Sequence, residues 1–263
     1  MNNHSALIRP GILVNRFISY LGELSILWGQ TIYGIFTPPL KGVRVLIQAK
    51  RVGPGSFFIS SLISLFVGMI IALQMAYQMV KLGAEIYIPN VVAVAITREL
   101  APVLTALIVA GRIGAGITAE IGSMTVTEQV DALKAFAVNP VKYLVVPRFL
   151  SLVLMLPVLT IFADVIGIFG GFIICVLKLS ISPSMYMTMV TQSLVLKDIM
   201  TGLIKTIFFA MIIAIVGCRE GLCVKGGADG VGRATTASVV RAFIMIIVTD
   251  CMFTTMFYFV FNV

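Results

Sequence analysis

The amino-acid sequence predicts an all-α integral membrane protein with five transmembrane helices and an amino-terminal helix that lies in the membrane interface. Charged residues make up only 11% of the 263-residue chain, hydrophobic residues make up 59%, and the mean hydropathy is +1.08. A water-soluble domain usually contains about 25% charged residues, so this composition excludes that class. Five long apolar segments, separated by more polar ones, supply the predicted spans.

Each span is predicted from its length. A transmembrane helix needs roughly 20 apolar residues, because each residue adds about 1.5 Å across a hydrocarbon layer about 30 Å thick. Four segments meet this requirement directly, and one meets it if Arg98 and Glu99 are tolerated inside. The third segment is long enough to tilt, or to break near Pro157 or in its glycine cluster. In chain order, the predicted spans are residues 57–80, 88–110, 143–177, 199–217 and 242–261.

The amino-terminal segment, residues 12–36, has a different pattern. Polar and charged side chains interrupt it, while its apolar side chains keep to one side. This pattern predicts a helix that lies in the interface, and Trp28 suits an anchor at the level of the lipid headgroups. A basic connector follows and ends at Gly53-Pro54-Gly55. The predicted divisions are therefore an interfacial and connector region, residues 1–56, and a five-span domain, residues 57–263.

Lysine and arginine residues predict the orientation of the spans. With five spans, one side of the membrane carries fourteen of these residues and the other side carries three. The side with more basic residues is normally cytoplasmic. The amino terminus, residues 111–148 and residues 218–241 are therefore predicted to be cytoplasmic, and the carboxyl terminus to be outside. The net charge of +8 follows from this bias and gives no reason to expect nucleic-acid binding.

The polar segment at residues 111–148 contains the pattern of a short amphipathic helix, predicted at about residues 126–138. Thr125 and Glu128 fit a capping box that would start the helix near Val126, and Asn139-Pro140 would end it. Such a helix could rest on lipid headgroups, or it could dock onto a partner protein. Its apolar positions are Val126, Val130, Leu133 and Ala137, and its polar positions are Thr127, Glu128, Gln129, Asp131 and Lys134.

Five charged residues are predicted to lie inside the membrane, where each costs about 2.5–3.5 kcal/mol on insertion scales. They are Arg98, Glu99, Asp164, Lys205 and Asp250. Adjacent residues of an α-helix point about 100° apart, so Arg98 and Glu99 should not share one face. We expect Glu99 to pair with Lys205, and Arg98 to pair with Asp250 or with a lipid phosphate. The same pairs could serve only to fix the register of the helices.

Several kinds of chemistry lack the residues that they require. His4 is the only histidine, which leaves acid–base catalysis by histidine without a residue inside the membrane. The spacing of Cys218 and Cys223, without further ligands, is poor evidence for a metal site. The sequence also lacks a GxxxxGK[ST] phosphate-binding loop. We therefore expect no metal site, no catalytic site and no bound cofactor on this chain, so any ATP and Mg²⁺ would be bound by a partner subunit.

A longer set of motifs resembles one family. The segment TRELAPVLTALIVAGRIGAGITAEIGSMTVTEQVDAL, followed by AVNPVKYLVVPR, is similar to the signature of the MlaE/YrbE family, the permease subunits of ATP-binding-cassette (ABC) lipid transporters that work with MCE-domain proteins. FVGMIIALQ, IGIFGG, LIKTIFFA and GVGRATTASVV also match, in order, between residues 53 and 250. The amino-terminal helix agrees only in character, and the loop around Cys218 and Cys223 lies outside these motifs.

The resemblance implies a homodimer of permeases, bound to two cytoplasmic ATPase subunits and to a periplasmic MCE-domain protein. It implies transport of phospholipid or a related lipid in the inner membrane of a double-membraned bacterium, or alternatively in a plastid inner envelope. The helix near residues 126–138 would then be the coupling helix that enters a groove of the ATPase. The predicted coupling residues are Thr127, Glu128, Val130, Asp131, Leu133 and Lys134.

The first span offers candidates for a lipid pocket. Methionine adapts to acyl chains of different length, although a methionine-rich span can equally be a packing surface. Arg98 could attract a lipid phosphate. The predicted pocket residues are Met69, Ile70, Leu73, Gln74, Tyr77 and Arg98.

Three other classes of function fit the sequence less well. A proton-coupled secondary transporter could use Glu99, Asp164 or Asp250 as its titrating group, but such transporters usually contain an internal repeat, and none is convincing here. A membrane-embedded lipid enzyme would need a nucleophile with a base, or a metal cluster. A pure scaffold would not explain five embedded charges.

Overall fold

The computed structural model describes residues 4–37 and 42–261, and in this part of the chain it contains helices and turns but no strand. Five of the helices, α2, α3, α5, α7 and α8, are long and apolar enough to cross a membrane, which confirms the predicted fold class. The helices are α1 (His4–Phe36), α2 (Gly42–Leu82), α3 (Glu85–Val126), α4 (Gln129–Ala135), α5 (Val141–Leu179), α6 (Pro183–Ser193), α7 (Leu196–Leu222) and α8 (Gly227–Phe261).

The long helices extend well beyond the predicted apolar spans. Helix α2 already begins at Gly42, so the segment expected to be a connector is helical and passes through Pro54 without ending. A proline inside a helix loses its amide hydrogen bond and crowds the carbonyl four residues earlier, so it usually kinks or ends the helix. Val52 and Gly53 before this proline and Ser56 after it are buried, so the helix is packed against its neighbours on both sides of Pro54. Helix α5 is likewise continuous through Pro157, so the possible break in the third span does not occur.

Helices α2 and α5 form the most extensive helix pair, because glycines let their backbones approach closely. A Cβ atom added to Gly68 would overlap the carbonyl oxygen of Gly167, and one added to Gly170 would overlap the carbonyl oxygen of Leu65. The Ser64 hydroxyl donates a hydrogen bond across the pair to a carbonyl of α5. Helix α3 packs against this pair on one side and against α7 and α8 on the other.

Helix α1 includes the predicted segment 12–36 and packs along the bundle. Leu24, Leu27 and Thr31 are buried at three- and four-residue steps, and Gly34 faces Val146 of α5. This face of α1 is therefore covered by α5 and α7. We use "basic end" for the end of the bundle that carries α4, the first turns of α2 and α8, and the last turn of α7.

The short helix α6, between the third and fourth spans, was not predicted from the sequence. Its signals are nevertheless present, because Pro183 occupies the first turn and Ser182 Oγ accepts a hydrogen bond from the Met185 amide at 3.3 Å. Tyr186 is fully buried, and its hydroxyl donates to the Ile168 carbonyl at 2.8 Å. Burial raises the pKa of Tyr186, so the phenol stays protonated and anchors α6 on α5.

Candidate functional site

A network of buried charges is centred on Lys205 of α7, whose side chain is almost completely buried. Its ammonium group donates hydrogen bonds to Glu99 Oε2 at 2.6 Å, to Thr254 Oγ1 at 2.8 Å and to the backbone carbonyl of Arg98 at 3.3 Å. Asp250 Oδ1 lies 2.9 Å from the same nitrogen. One lysine therefore holds α3, α7 and α8 together, and it makes the pair with Glu99 that the sequence suggested.

The backbone of α3 is specialised where the network forms. Residues Ile96–Leu100 form a π-helical turn, in which the Ala101 amide donates to the Ile96 carbonyl. Pro102 has no amide hydrogen to donate to the carbonyl four residues earlier, which belongs to Arg98, and Lys205 binds this free acceptor. π-Helical turns are rare and often occur at functional sites. The sequence signal is the proline four residues after an arginine inside a span.

Of the two partners expected for Arg98, Asp250 is wrong, whereas a lipid phosphate stays a prediction. The Nε of Arg98 instead lies 3.4 Å from Asp198 Oδ1 at the start of α7, while Asp250 faces Lys205. Asp198 Oδ2 also accepts the Val195 amide at 3.2 Å and so caps α7. The predicted fourth span began one residue after Asp198, and this carboxylate was therefore overlooked.

Asp164 is not part of the network, although it was grouped with these charges. It lies on α5, and its carboxylate is buried, with Oδ1 lacking a hydrogen-bond partner within the described part of the chain. The structure pairs its helix mainly with α2, whereas Glu99, Lys205 and Asp250 lie on α3, α7 and α8. Asp164 is therefore separated from the network by its position in the bundle.

A cavity of about 640 Å³ opens beside the network, between α3, α7 and α8. Arg98 and Glu99 both line it, contrary to the expectation that they could not share a face. They still bind different partners, as expected.

Of the six residues predicted for a lipid pocket, only Arg98 lies in this cavity. The other five are on α2 and do not line this cavity, and Ile70, Leu73 and Tyr77 are about half exposed or more. The remaining lining residues are Asn90, Val91, Val94, Ala95, Thr201, Lys205, Thr254, Phe257 and Tyr258.

The predicted capping box at the basic end does not form. Helix α3 runs to Val126, and the Thr125 hydroxyl donates to the carbonyls of Ile121 and Gly221 instead of accepting an amide. Glu128 has a left-handed backbone, with φ of 59°, and α4 begins only at Gln129. The box pattern was misleading because Thr125 is already held in the last turn of a span.

Helix α4 is a seven-residue helix at the tip of a tight turn. Its end lies before Asn139-Pro140, because Ala137 adopts a left-handed backbone and the Val138 amide bonds the Leu133 carbonyl at 2.9 Å. Asn139 Oδ1 accepts the Val141 amide at 2.9 Å and so caps α5. The turn is thus closed at both ends by its own hydrogen bonds.

The exposed surface of this turn differs from the predicted one. Val130 is only 5% exposed and packs inside the chain, so its predicted contact with a partner is not available. Leu133 is half-buried. Phe136 is 80% exposed and was overlooked, because it lies outside the three- and four-residue pattern. Asp131 and Lys134 form an exposed ion pair at 2.7 Å, while Thr127 and Glu128 are exposed.

Ion pairs join the helices behind the turn. Glu120 of α3 contacts Arg148 of α5 at 3.1 Å and Arg51 of α2 at 3.3 Å. Arg148 is buried, and it also donates to the Leu144 carbonyl at 2.7 Å. Since Glu120 lies two helical turns before the tip of α3, this triad connects the turn to α2 and α5.

Comparison with known proteins assigns the chain to a family. The family model described as permease MlaE matches residues 45–256, which is most of the chain. The chain belongs to the MlaE permease family. Two relatives are named probable ABC transporter permease proteins. The one from Rickettsia prowazekii is 39% identical over 92% of this chain and 94% of its own, and the one from Synechocystis is 41% identical over 85% of each chain. The chloroplastic protein TRIGALACTOSYLDIACYLGLYCEROL 1 of Arabidopsis thaliana is 34% identical over 90% of this chain and 67% of its own.

Membership in the MlaE permease family gives the function in general terms. The chain is a multi-pass membrane protein and the permease subunit of an ABC transporter. This family argues against the proton-driven alternative, and in the structure Glu99 and Asp250 both contact Lys205.

Proposed function

We propose that this permease moves phospholipid or a related lipid, and that ATP hydrolysis by two cytoplasmic ATPase subunits drives the movement. The observation that carries the proposal is the cavity between α3, α7 and α8, whose lining is mainly apolar but includes the charged residues Arg98, Glu99 and Lys205. Its volume of about 640 Å³ lies within the usual range for ligand pockets, about 300–1,000 Å³. Val91, Val94, Ala95 and Phe257 supply apolar surface for acyl chains.

The charged part of the cavity lining suits the phosphate of a lipid, because it includes Arg98. Arg98 lines the cavity and its side chain is 30% exposed, while its Nε lies 3.4 Å from Asp198 Oδ1. Guanidinium groups bind phosphate through paired hydrogen bonds. The Arabidopsis relative also carries the name of a diacylglycerol lipid. The residues of α2 predicted for the pocket, Met69, Ile70, Leu73, Gln74 and Tyr77, would contact lipid outside this cavity.

The proposed assembly is a homodimer. Helix α8 is the least buried of the five long helices, with large apolar side chains exposed along it, such as Ile247, Met252 and Phe259. An exposed apolar face of this kind can be covered by a second copy or by lipid. The family resemblance favours a second copy, with an MCE-domain protein as the periplasmic partner. We place the complex in the inner membrane of a double-membraned bacterium, with a plastid envelope as the alternative.

The turn around α4 is the proposed coupling element for the ATPase. It projects from the basic end, which the charge distribution predicts to be cytoplasmic. Phe136 supplies an exposed aromatic anchor, with Leu133 and the Asp131–Lys134 pair beside it. Aromatic anchors often dominate the energy of a protein interface. ATP and Mg²⁺ would be bound by the ATPase, and this chain would transmit the movement of the ATPase to the lipid cavity.

Replacing Phe136 with serine is expected to remove most of the ATPase subunit that co-purifies with the permease. The reason is the loss of an exposed aromatic side chain, and truncation of such an anchor weakens binding by about 2 kcal/mol, or roughly thirtyfold. Co-purification from membranes, followed by quantification of both subunits, measures the effect. The variant should insert and unfold like the wild type, because Phe136 makes few contacts within the chain.

The matched control is Phe259→Ser, which removes an aromatic side chain of similar exposure, 76%, from the opposite end of the bundle. This control should retain the ATPase. Equal retention of the ATPase by both variants would show that the turn around α4 is not the coupling element.

A tryptophan in place of Val94 is expected to lower the amount of lipid that co-purifies with the permease by about half or more. Val94 lines the cavity and is only half-buried, so the larger side chain can occupy space proposed for an acyl chain without entering the packed interior. Mass spectrometry of the retained lipids measures the effect. An unchanged amount and composition of lipid would contradict the cavity assignment, whereas Leu154→Trp, on the exposed surface of α5, should change neither.

A further inference from the structure

A second cleft lies at the basic end, between α1, α7 and α8, and has no role in the proposed transport cavity. Its volume is about 750 Å³. Unlike a purely apolar groove, it combines two guanidinium groups, a carboxylate and a tyrosine with apolar side chains of α8. The residues that decide its chemistry are Tyr20, Glu23, Arg219, Arg241 and Thr249.

Four charged side chains form an alternating series along this cleft. Glu23 of α1 accepts hydrogen bonds from Arg219 of α7, and Arg219 also binds Glu220 at 2.8 Å. Glu220 in turn accepts a hydrogen bond from Arg241 of α8. The two central charges are covered, since Arg219 is 18% exposed and Glu220 is 7% exposed. The two terminal charges are open, since Glu23 is 48% exposed and Arg241 is 42% exposed.

Tyr20 contacts both arginines, whose guanidinium carbons are 4.6 Å and 4.7 Å from the centre of its ring. Burial raises the pKa of Tyr20 to about 12, and the nearby Glu220 carboxylate adds to this rise. Its ring therefore remains neutral and holds both guanidinium groups by cation–π attraction. This arrangement holds Arg241 directly, and it holds Glu23 through Arg219.

Both open ends retain unused capacity for hydrogen bonding. Glu23 accepts its bonds from Arg219 through Oε2 alone, which leaves Oε1 without a donor among the described side chains. Arg241 donates only through Nη1, to Glu220, so its other nitrogens have no acceptor in the described ranges 4–37 and 42–261. The cleft thus presents one free carboxylate oxygen and the free N–H groups of one guanidinium.

An apolar groove of about 260 Å³ continues from the cleft toward the middle of the bundle. Leu21 and Met245 line both spaces, so the charged cleft and the groove adjoin. Trp28 of α1 and Phe208 and Met211 of α7 line the groove farther along. A charged cleft next to an apolar groove has the amphipathic character of a membrane lipid.

We propose that this cleft binds a zwitterionic phospholipid, with its phosphate at Arg241, its ammonium group at Glu23 and an acyl chain in the adjoining groove. A purely anionic headgroup would gain the contact with Arg241 but would be repelled by the free Glu23 oxygen. A headgroup with both charges satisfies both ends. The site lies outside the transport cavity, and its occupancy requires neither ATP nor the proposed ATPase partner.

Photolabelling of the purified full-length chain tests this proposal. The protein is reconstituted in phosphatidylglycerol vesicles with a trace of phosphatidylethanolamine that carries a diazirine in one acyl chain. After irradiation, peptides containing Trp28 and Met211 are expected to be labelled about three- to fivefold more than with the matching diazirine phosphatidylglycerol, since partly exposed ion pairs give preferences of this size. Unlabelled phosphatidylethanolamine should compete, and this measurement needs no variant.

Two charge-removing variants, Glu23→Gln and Arg241→Gln, should each lower the preference for phosphatidylethanolamine. The matched control Arg233→Gln removes an exposed arginine of α8 outside the cleft and should leave the preference unchanged. Equal labelling by both lipids, or no competition, would overturn the proposal. Crosslinks between two copies through Val248→Cys, without lipid label, would show that a second copy fills the cleft. These results are independent of the Val94→Trp experiment, which probes the other cavity.

Discussion

Replacing Lys205 with methionine is expected to destabilise the folded protein by about 3 kcal/mol, the lower end of the cost of breaking a buried ion pair. The substitution keeps much of the side-chain volume but leaves the Glu99 and Asp250 carboxylates without their common cation. It also removes the donor to the Arg98 carbonyl, and Pro102 cannot replace this donor because it has no amide hydrogen. The free energy of unfolding, measured by denaturant titration in mixed micelles, should show this loss.

Two further variants separate charge from packing. Lys197→Met removes an exposed lysine from the same helix and should have little effect. The triple variant Lys205→Met with Glu99→Gln and Asp250→Asn removes the uncompensated carboxylates, and it should recover part of the lost stability. If the triple variant were no more stable than Lys205→Met alone, the loss would have to be attributed to packing and not to orphaned charges.

The centre of this network could be predicted from the sequence, because the cost of an unpaired charge in a membrane applies whatever the packing. That argument alone suggested the pair of Glu99 and Lys205, which lie 2.6 Å apart. The partner of Arg98 could not be found in the same way. Asp198 lies at the boundary of a span, where hydropathy does not distinguish a buried carboxylate from an exposed one.

The five spans were predictable because a bilayer requires long apolar helices, and hydropathy reads this requirement directly. The helix boundaries were not predictable from hydropathy, because α2 and α8 continue through polar residues that face water or other helices. The role of Thr125 shows the same limit. Its spacing to Glu128 matches a capping box, but the choice between accepting an amide and donating to Gly221 depends on where α7 lies.

The two cavities could not be read from the sequence at all. Each is formed by helices that are distant in the chain, and the cleft at the basic end brings together Glu23 and Arg219, which are 196 residues apart. Phe136 was overlooked for a related reason. Periodicity identifies the face that a helix buries, whereas a residue just beyond the helix end, such as Phe136, belongs to no face.

The close approach of α2 and α5 leads to the second large expected effect. Gly68→Ala should destabilise the protein by about 3 kcal/mol, the upper end of the usual cost of overpacking. The added Cβ would overlap the backbone carbonyl of Gly167, which cannot rotate away as a side chain can. The two helices would have to separate, and the Ser64 hydrogen bond to α5 would be strained as well.

Two other glycine-to-alanine variants turn this expectation into a graded series, with unfolding free energy in mixed micelles as the measurement. At Gly53 the added Cβ meets only the terminal methyl group of Met155, which can move, so the cost should be small. At Gly116 no atom lies within 4 Å, and alanine should be neutral or stabilising because it favours the helix by about 1 kcal/mol. Equal losses at Gly68 and Gly116 would show that backbone contact between α2 and α5 does not limit stability. The predicted order follows from what each new methyl group would touch, since all three glycines lie inside long helices and the substitution is the same.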